Sequence, residues 1–545
     1  MTRLSRTALA ITSTAVAVSM LAGCGGGGGE GSGAAGDNTL TYLEPQTWNT
    51  LYPPSGGFYP NGGVINNITD RLVYQNPSTL EFEPWIATDW EQNDDATEYT
   101  FTLREGVTYS DGSPLDAENV VKNFDLFGLG DTDRALPVSE AINNYDHGEV
   151  VDENTVKFFF SAPAPGFLQA TSTINSGLLS NDTLDRDSQG FGPGSATEIV
   201  GSGPFVVADE QVGTELTLEA RDDYDWAPPS LEHQGAAAID GVQFIVTAED
   251  SVRVGSVTSG QADIARQIAA PDEPQFEAEG VELLAAPTNG VTNSLSLRIG
   301  HTPFDDIRVR QALIAGIDRE EIVDQLFTDS YPLATGILAS TALGYTDTSE
   351  YYEYDPDEAA RLLDEAGWEL GSDGIRVKDG EKLHVTFNEA LPQPRSKEVV
   401  TLIQEQLGEL GFEIELFAGD QAAQDEARLD ADTIQVYHSM VGRSDYDVLK
   451  SQLSGENRNA LLNLDVASGE YVDEELESLL DRIASVPTPE ARQEASAAAQ
   501  QHIAENAYAL PLFEEPQVFG LRSGVQGFAT ESIGRPSFYQ VTLGE

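Results

Sequence analysis

A mixed α/β fold of two or three domains is predicted by three observations. The chain has 545 residues, more than one hydrophobic core serves. Hydrophobic residues make up 40% and aromatics 8%, the proportions of a folded protein rather than a disordered one. From Asn38 onward, strand-like alternation and helix-like periodicity succeed one another along the chain.

The N-terminal elements precede that fold. Arg3 and Arg6 stand before an uncharged, mostly apolar run from Thr7 to Ala22. The run is short and interrupted by Thr and Ser, which suits a signal peptide over residues 1–23 better than a membrane span. It ends in Leu21-Ala22-Gly23-Cys24, which resembles a bacterial lipobox. In such signals the leader is cut before the cysteine and the thiol is acylated. Cys24 is the chain's one cysteine and is therefore the expected lipid attachment site. The absence of other thiols suits an exported protein. Residues 24–37 are glycine-rich and lack large apolar side chains to pack, so a flexible linker with an end-to-end distance of about 20 Å is expected. No later segment is long and apolar enough to span a bilayer.

Within the folded part, Tyr99, Phe101 and Leu103 alternate, Arg104-Glu105-Gly106 turns, and Val107 and Tyr109 resume, which predicts a hairpin. Asp116 is the expected N-cap of a helix carrying Val120, Val121, Phe124 and Phe127 on one face. Two helices follow in the stretch 304–327. Ile307, Leu313, Ile314 and Ile317 serve the first, and Asp318 caps the second with Glu321 in capping-box spacing. Asp355, Pro356 and Gly367 punctuate another helix at its N-cap, first turn and end. Residues 396–417 predict a helix and then a strand, with Gly411 between them. Thr488-Pro489 opens a long Ala/Gln-rich helix, and ALPLFEEPQVFGL from Ala509 gives two short strands.

Charge excludes several functions. The chain holds 91 Asp plus Glu against 29 Lys plus Arg, a formal charge of −62. Nucleic-acid binding needs clustered cations, and docking on anionic lipid needs a basic face. The acids are dispersed through structured segments, which makes them a solubilising surface. No Asx-rich loop has calcium-binding spacing.

Four stretches together resemble one family: FTLREGVTYSDGSPLDAENVVKNFD, GSGPFVV at Gly201–Val207, PFDDIRVRQALIAGIDREEIV and YDPDEAARLLDEAGW. In this order they look like the family 5 extracellular solute-binding proteins of bacterial ABC importers, the oligopeptide/dipeptide/nickel-binding group. The resemblance implies a two-lobed fold of the type II periplasmic-binding-protein kind with an extra inserted subdomain. It implies a discontinuous lobe 1 (38–78, 197–292 and 515–545), an inserted subdomain at 79–196 and lobe 2 at 293–514.

Catalytic constellations are missing from the sequence. Gly201-Ser202-Gly203-Pro204 lacks the spacing of a nucleophile elbow, and no phosphate-binding glycine loop follows a strand. The six histidines are scattered, without an H-E-x-x-H pair or thiolates to complete a zinc site. No enzyme activity, cofactor or metal is expected. The sequons at Asn67 and Asn181 match by chance.

Two segments carry the expected ligand contacts, in an inter-lobe cleft. The first is a turn-rich loop, Glu44–Gly63, crowding Trp48, Tyr52, Phe58 and Tyr59 among Pro and Gly; Tyr59 and Asn61 beside the glycines are the candidates, with Trp48 divided between cleft and core. The second is Ile434–Leu453, where a strand-like segment ending in His438 gives way to a polar loop with Arg443 and Asp445. In oligopeptide-binding relatives the matching loop runs through Trp and then Ala-Asp-Tyr, the Asp pairing with the ligand's amino terminus. Here Ser444-Asp445-Tyr446 matches and Gly442 replaces the Trp. Asp445 is the expected anchor for a cationic group; Arg443 is expected either to hold a carboxylate or to pair with Asp445 or Asp447. The function implied is a membrane-anchored, monomeric receptor that captures a peptide outside the cell and hands it to an ABC permease. A nickel or other metal chelate, another small solute, a surface hydrolase and a sensor are the alternatives.

Overall fold

Two mixed sheets organise the chain, and a computed structural model describes residues 38–544 apart from 280, 392, 431, 458–461 and 466–467. The leader, Cys24 and the linker lie outside the described residues. The larger sheet has seven strands, in spatial order Glu282–Ala286, Gln517–Leu521, Ile264–Arg266, Thr39–Glu44, Gly241–Val246, Glu215–Ala220 and Phe205–Gln211. Thr39–Glu44 is parallel to both its neighbours, and the flanking pairs are antiparallel. The second sheet has five strands, in order Glu413–Phe417, His384–Asn388, Val436–Gly442, Gly290–Leu297 and Ala509–Phe513. An antiparallel sheet of Ala87–Gln92, Glu98–Leu103, Thr155–Phe160 and Tyr145–Asp152 forms a further layer that shares the apolar core of the larger sheet.

The two large sheets are joined by two crossing segments. The chain leaves the seven-stranded sheet at Ala286 and enters the five-stranded one at Gly290; it returns between Phe513 and Gln517. Residues 287–289 and 514–516 thus both cross between the lobes. Two connections of three residues each give a hinge, because few dihedrals need change for the lobes to move.

Local signals account for many elements. The Asp116 carboxylate accepts from Asn119 N at 2.9 Å, capping Ala117–Leu129, whose Val120, Phe124 and Phe127 are fully buried. Asp355 caps Pro356–Glu365 through Glu358 N, and Gly367 takes a φ of +87°, the left-handed geometry that suits glycine. Asp318 accepts from Glu321 N. Glu321 turns instead to Gln325 and Gln406, so the capping box is half made.

Three expectations are corrected. The hairpin at 98–109 does not form: Glu98–Leu103 has both edges taken, by Ala87–Gln92 and Thr155–Phe160, and the chain leaves the sheet after Leu103. Ile307 is exposed, and Val309 takes its place in the core. The turn-rich loop ends in a helix, Tyr59–Ile68, that contains Pro60, Gly62 and Gly63. Pro60 falls in the first turn, where its missing N–H costs nothing. A Cβ on Gly62 would lie 2.2 Å from the Arg535 side chain, so the glycine lets that arginine lie across the helix.

Candidate functional site

A cavity of about 670 Å³ lies between the lobes beside the hinge. Its walls come from Phe58 and Tyr59 on one lobe, Tyr331 and His438 on the other, and Glu515 with Ile533 from the returning tail. The lobes touch around it: Gln75 Nε2 donates to Ser444 O at 3.2 Å and Gln92 Nε2 to Pro487 O at 3.3 Å.

Tyr59 begins its helix at the cavity edge. Its hydroxyl donates to Ile533 O at 2.7 Å, and the Arg266 and Arg535 guanidiniums lie 5.3 Å from its ring centroid. Burial pushes the phenol up to about 12, so it stays a neutral donor. Arg266 is saturated by Glu44 and Gln517. Arg535 donates to Gly57 O at 2.8 Å and sits 3.5 Å from Glu531.

His438 is 1% exposed and lines the cavity wall. Its Nδ1 lies 3.0 Å from Ser396 Oγ and its Nε2 2.5 Å from Asn293 Oδ1. Ser396 Oγ accepts from Ala390 N, so its proton goes to Nδ1 and the ring carries its own proton on Nε2. Asn293 Nδ2 then donates to Glu515 Oε2 at 3.0 Å in the hinge. Burial pushes His438 down to about 4 and Glu515 up to about 7. The Ser-His-Asn sequence of contacts has the residue types of a hydrolytic triad. It is not one: Ser396 is buried, does not line the cavity, and has its hydroxyl committed to the ring and the Ala390 amide. The network instead fixes a neutral imidazole and ties the five-stranded sheet to the hinge.

The other sequence candidates are distributed differently. Arg443 lines the cavity. Trp48 packs in the main apolar core and borders only a crevice of about 20 Å³. Asn61 is 1% exposed; its amide exchanges bonds with Asn49 and holds the backbone at 49–50, away from the cavity. Asp445 is also displaced from the expected place. It is buried behind the wall, and both its oxygens are taken by Arg492 on the helix Pro489–Glu505, Nη1 to Oδ2 at 2.9 Å. Burial would raise Asp445, but the Arg492 guanidinium holds it below the usual carboxylate range. Asp445 is therefore already neutralised within its own lobe. Arg492 also reaches Pro165 O at 3.5 Å, in the loop that follows Thr155–Phe160. Sequence reading missed Tyr331, Glu515 and Arg492; the pairing of positions 445 and 492 has no local signature. Among the described residues no group of three or more His, Cys, Asp or Glu is placed to hold a metal. Among them also, no helix is long and apolar enough to cross a membrane.

Two α/β lobes joined by two short crossings, in contact beside a cavity between them, define a solute-binding architecture. The model of bacterial extracellular solute-binding proteins, family 5 (middle region) matches residues 81–458, and the chain belongs to that family. It is 27% identical over 356 residues to the dipeptide-binding protein of Escherichia coli (strain K12), covering 61% of this chain and 64% of the relative, so the match spans under two thirds of that protein. Among solved structures, NikA from Brucella suis in complex with Fe(III)-EDTA superposes with a TM-score of 0.78 at 22% identity, over 93% of this chain and all of the other. The oligopeptide-binding protein AppA from Bacillus subtilis with a nonapeptide gives 0.75 at 19% identity, over 93% and 99%. These likenesses confirm the two-lobed, type II binding-protein fold.

Proposed function

We propose that the protein is an extracytoplasmic receptor that captures a small peptide in the inter-lobe cavity and delivers it to an ABC importer permease. The observation that carries this reading is the cavity of about 670 Å³ lined by both lobes, within the range of roughly 300–1,000 Å³ usual for small-ligand sites. A ligand that touches both lobes stabilises the closed state by its greater affinity for it. Lobe 1 comprises 38–78, 197–292 and 515–545, the inserted subdomain 79–196, and lobe 2 293–514; the crossings at 287–289 and 514–516 fall within a few residues of the limits between the two lobes. The contact residues are Tyr59, His438 and Arg443. Trp48, Asn61 and Asp445 do not touch the ligand.

The dipeptide-binding name of the Escherichia coli relative favours a peptide. A metal chelate is the second reading, favoured by the fold shared with NikA in complex with Fe(III)-EDTA. Native mass spectrometry of gently purified protein separates them: a co-purifying peptide is expected, and a metal complex without peptide would refute the peptide reading. The protein acts as a monomer tethered through Cys24. Cys24→Ser is expected to move it from the membrane fraction to the soluble one, because a multiply acylated cysteine gives stable anchoring. Unchanged fractionation would exclude the lipid anchor.

A further inference from the structure

We infer that a buried ring of three uncharged residues, Gln75, Ser444 and Ser532, biases the receptor toward lobe contact before any ligand enters. The inference rests on the receptor reading above but not on which ligand is bound. Gln75 Nε2 donates to Ser444 O, Ser444 Oγ donates to Ser532 O, and Ser532 Oγ donates to Gln75 Oε1, each at 3.2 Å. Every member thus donates to one neighbour and accepts from the other, and all three are buried. Gln75 ends the strand Val73–Gln75 of lobe 1. Ser532 lies in the turn of a hairpin in the returning tail, between Ala529–Thr530 and Pro536–Ser537. Ser444 follows the lobe 2 strand Val436–Gly442. Two of the three bonds therefore cross between the lobes, and the third holds the tail turn on Gln75.

The ring is fastened to the first crossing. Ser532 O also accepts from Asn289 Nδ2, while Asn289 Oδ1 accepts from Thr341 Oγ1 of lobe 2 at 2.8 Å and Asn289 O from Arg443 N at 2.7 Å. Gly442 lets the strand end come this close to the crossing: a Cβ there would lie 2.8 Å from Thr288 Cγ2. No member of the ring ionises, so its burial costs only the desolvation of neutral groups, which the hydrogen bonds offset. Once the lobes part by more than a hydrogen-bond length, both crossing bonds break together, and the ring is either made or lost. Such an element shifts the lobe equilibrium without touching ligand. A ligand that needs both lobes then binds in proportion to the fraction already in contact. Gln75 does not line the cavity, so it is a positioning residue for binding. The other glutamine that crosses, Gln92, makes one exposed bond to Pro487 O, which water replaces at little cost.

The test is small-angle X-ray scattering of the ligand-free full chain, paired with calorimetric titration with Ala-Ala-Ala. Gln75→Met keeps the side-chain length and removes both of its ring bonds. It is expected to have a larger ligand-free radius of gyration than wild type, to match liganded wild type at saturating peptide, and to bind about tenfold more weakly. Gln92→Met is expected to change neither quantity. Ligand-free scattering of Gln75→Met identical to wild type would overturn the inference. So would expansion without loss of affinity, or equal expansion in Gln92→Met. If Gln75→Met does not fold, Ser444→Ala removes one crossing bond, and its ligand-free scattering decides in the same way. Failure of Ala-Ala-Ala to bind wild type would overturn the peptide reading alone, and the scattering comparison would still decide the ring.

Discussion

Arg492→Met is expected to destabilise the protein by about 3–5 kcal/mol, because it strands Asp445 as a buried carboxylate. Asp445 is 3% exposed and both its oxygens rest on that guanidinium. The remaining cation nearby, Arg443, makes no hydrogen bond to Asp445 and compensates only through space. The double variant Asp445→Asn/Arg492→Met removes the stranded charge and is expected to recover much of the loss. Urea unfolding of the two single variants and the double closes the cycle. A loss below about 1 kcal/mol in Arg492→Met would mean that the pair is not the internal bond described above.

Glu515→Gln is expected to change how stability depends on pH. Burial raises Glu515 from 4.5 to about 7 in the folded protein. Below pH 4.5 both folded and unfolded states hold the proton and nothing is lost. Between about 4.5 and 7 the unfolded chain releases the proton while the folded one retains it, so stability falls as pH rises. Above 7 both are ionised and the penalty is constant, on the order of 3 kcal/mol. Glutamine keeps an acceptor for Asn293 Nδ2 and has no charge to bury. The ligand-free variant is therefore expected to match wild type near pH 4 and to exceed its Tm by a margin that grows up to pH 7. Parallel Tm profiles would show that Glu515 ionises in the folded state as freely as in the unfolded one.

What the sequence disclosed and what it concealed divide along chain distance. Asp116, Asp318, Asp355 and Thr488 cap helices within three residues of themselves, so their roles can be read locally. Glu98–Leu103 was correct as a strand, but its partners are set by segments that local alternation does not encode. Helix Tyr59–Ile68 was hidden because Pro60, Gly62 and Gly63 mark turns by propensity. Its reason lies more than 470 residues away, in Arg535 packed where a Cβ would stand. The site follows the same rule. Tyr59, His438 and Arg443 were visible as polar or aromatic residues near loops. The capture of Asp445 by Arg492, 47 residues on, could not be seen without the fold. Strands Ala509–Phe513 and Gln517–Leu521 were both legible, yet only the topology assigns them to different sheets and makes the residues between them a hinge.

The central claim is that a peptide is held in the cavity between the lobes, and a crystal structure of the full chain grown with Ala-Ala-Ala tests it most directly. The account predicts tripeptide density bounded by Tyr59, Tyr331, His438 and Arg443. A tripeptide bound outside the cleft, or an empty cavity at saturating peptide, would contradict it.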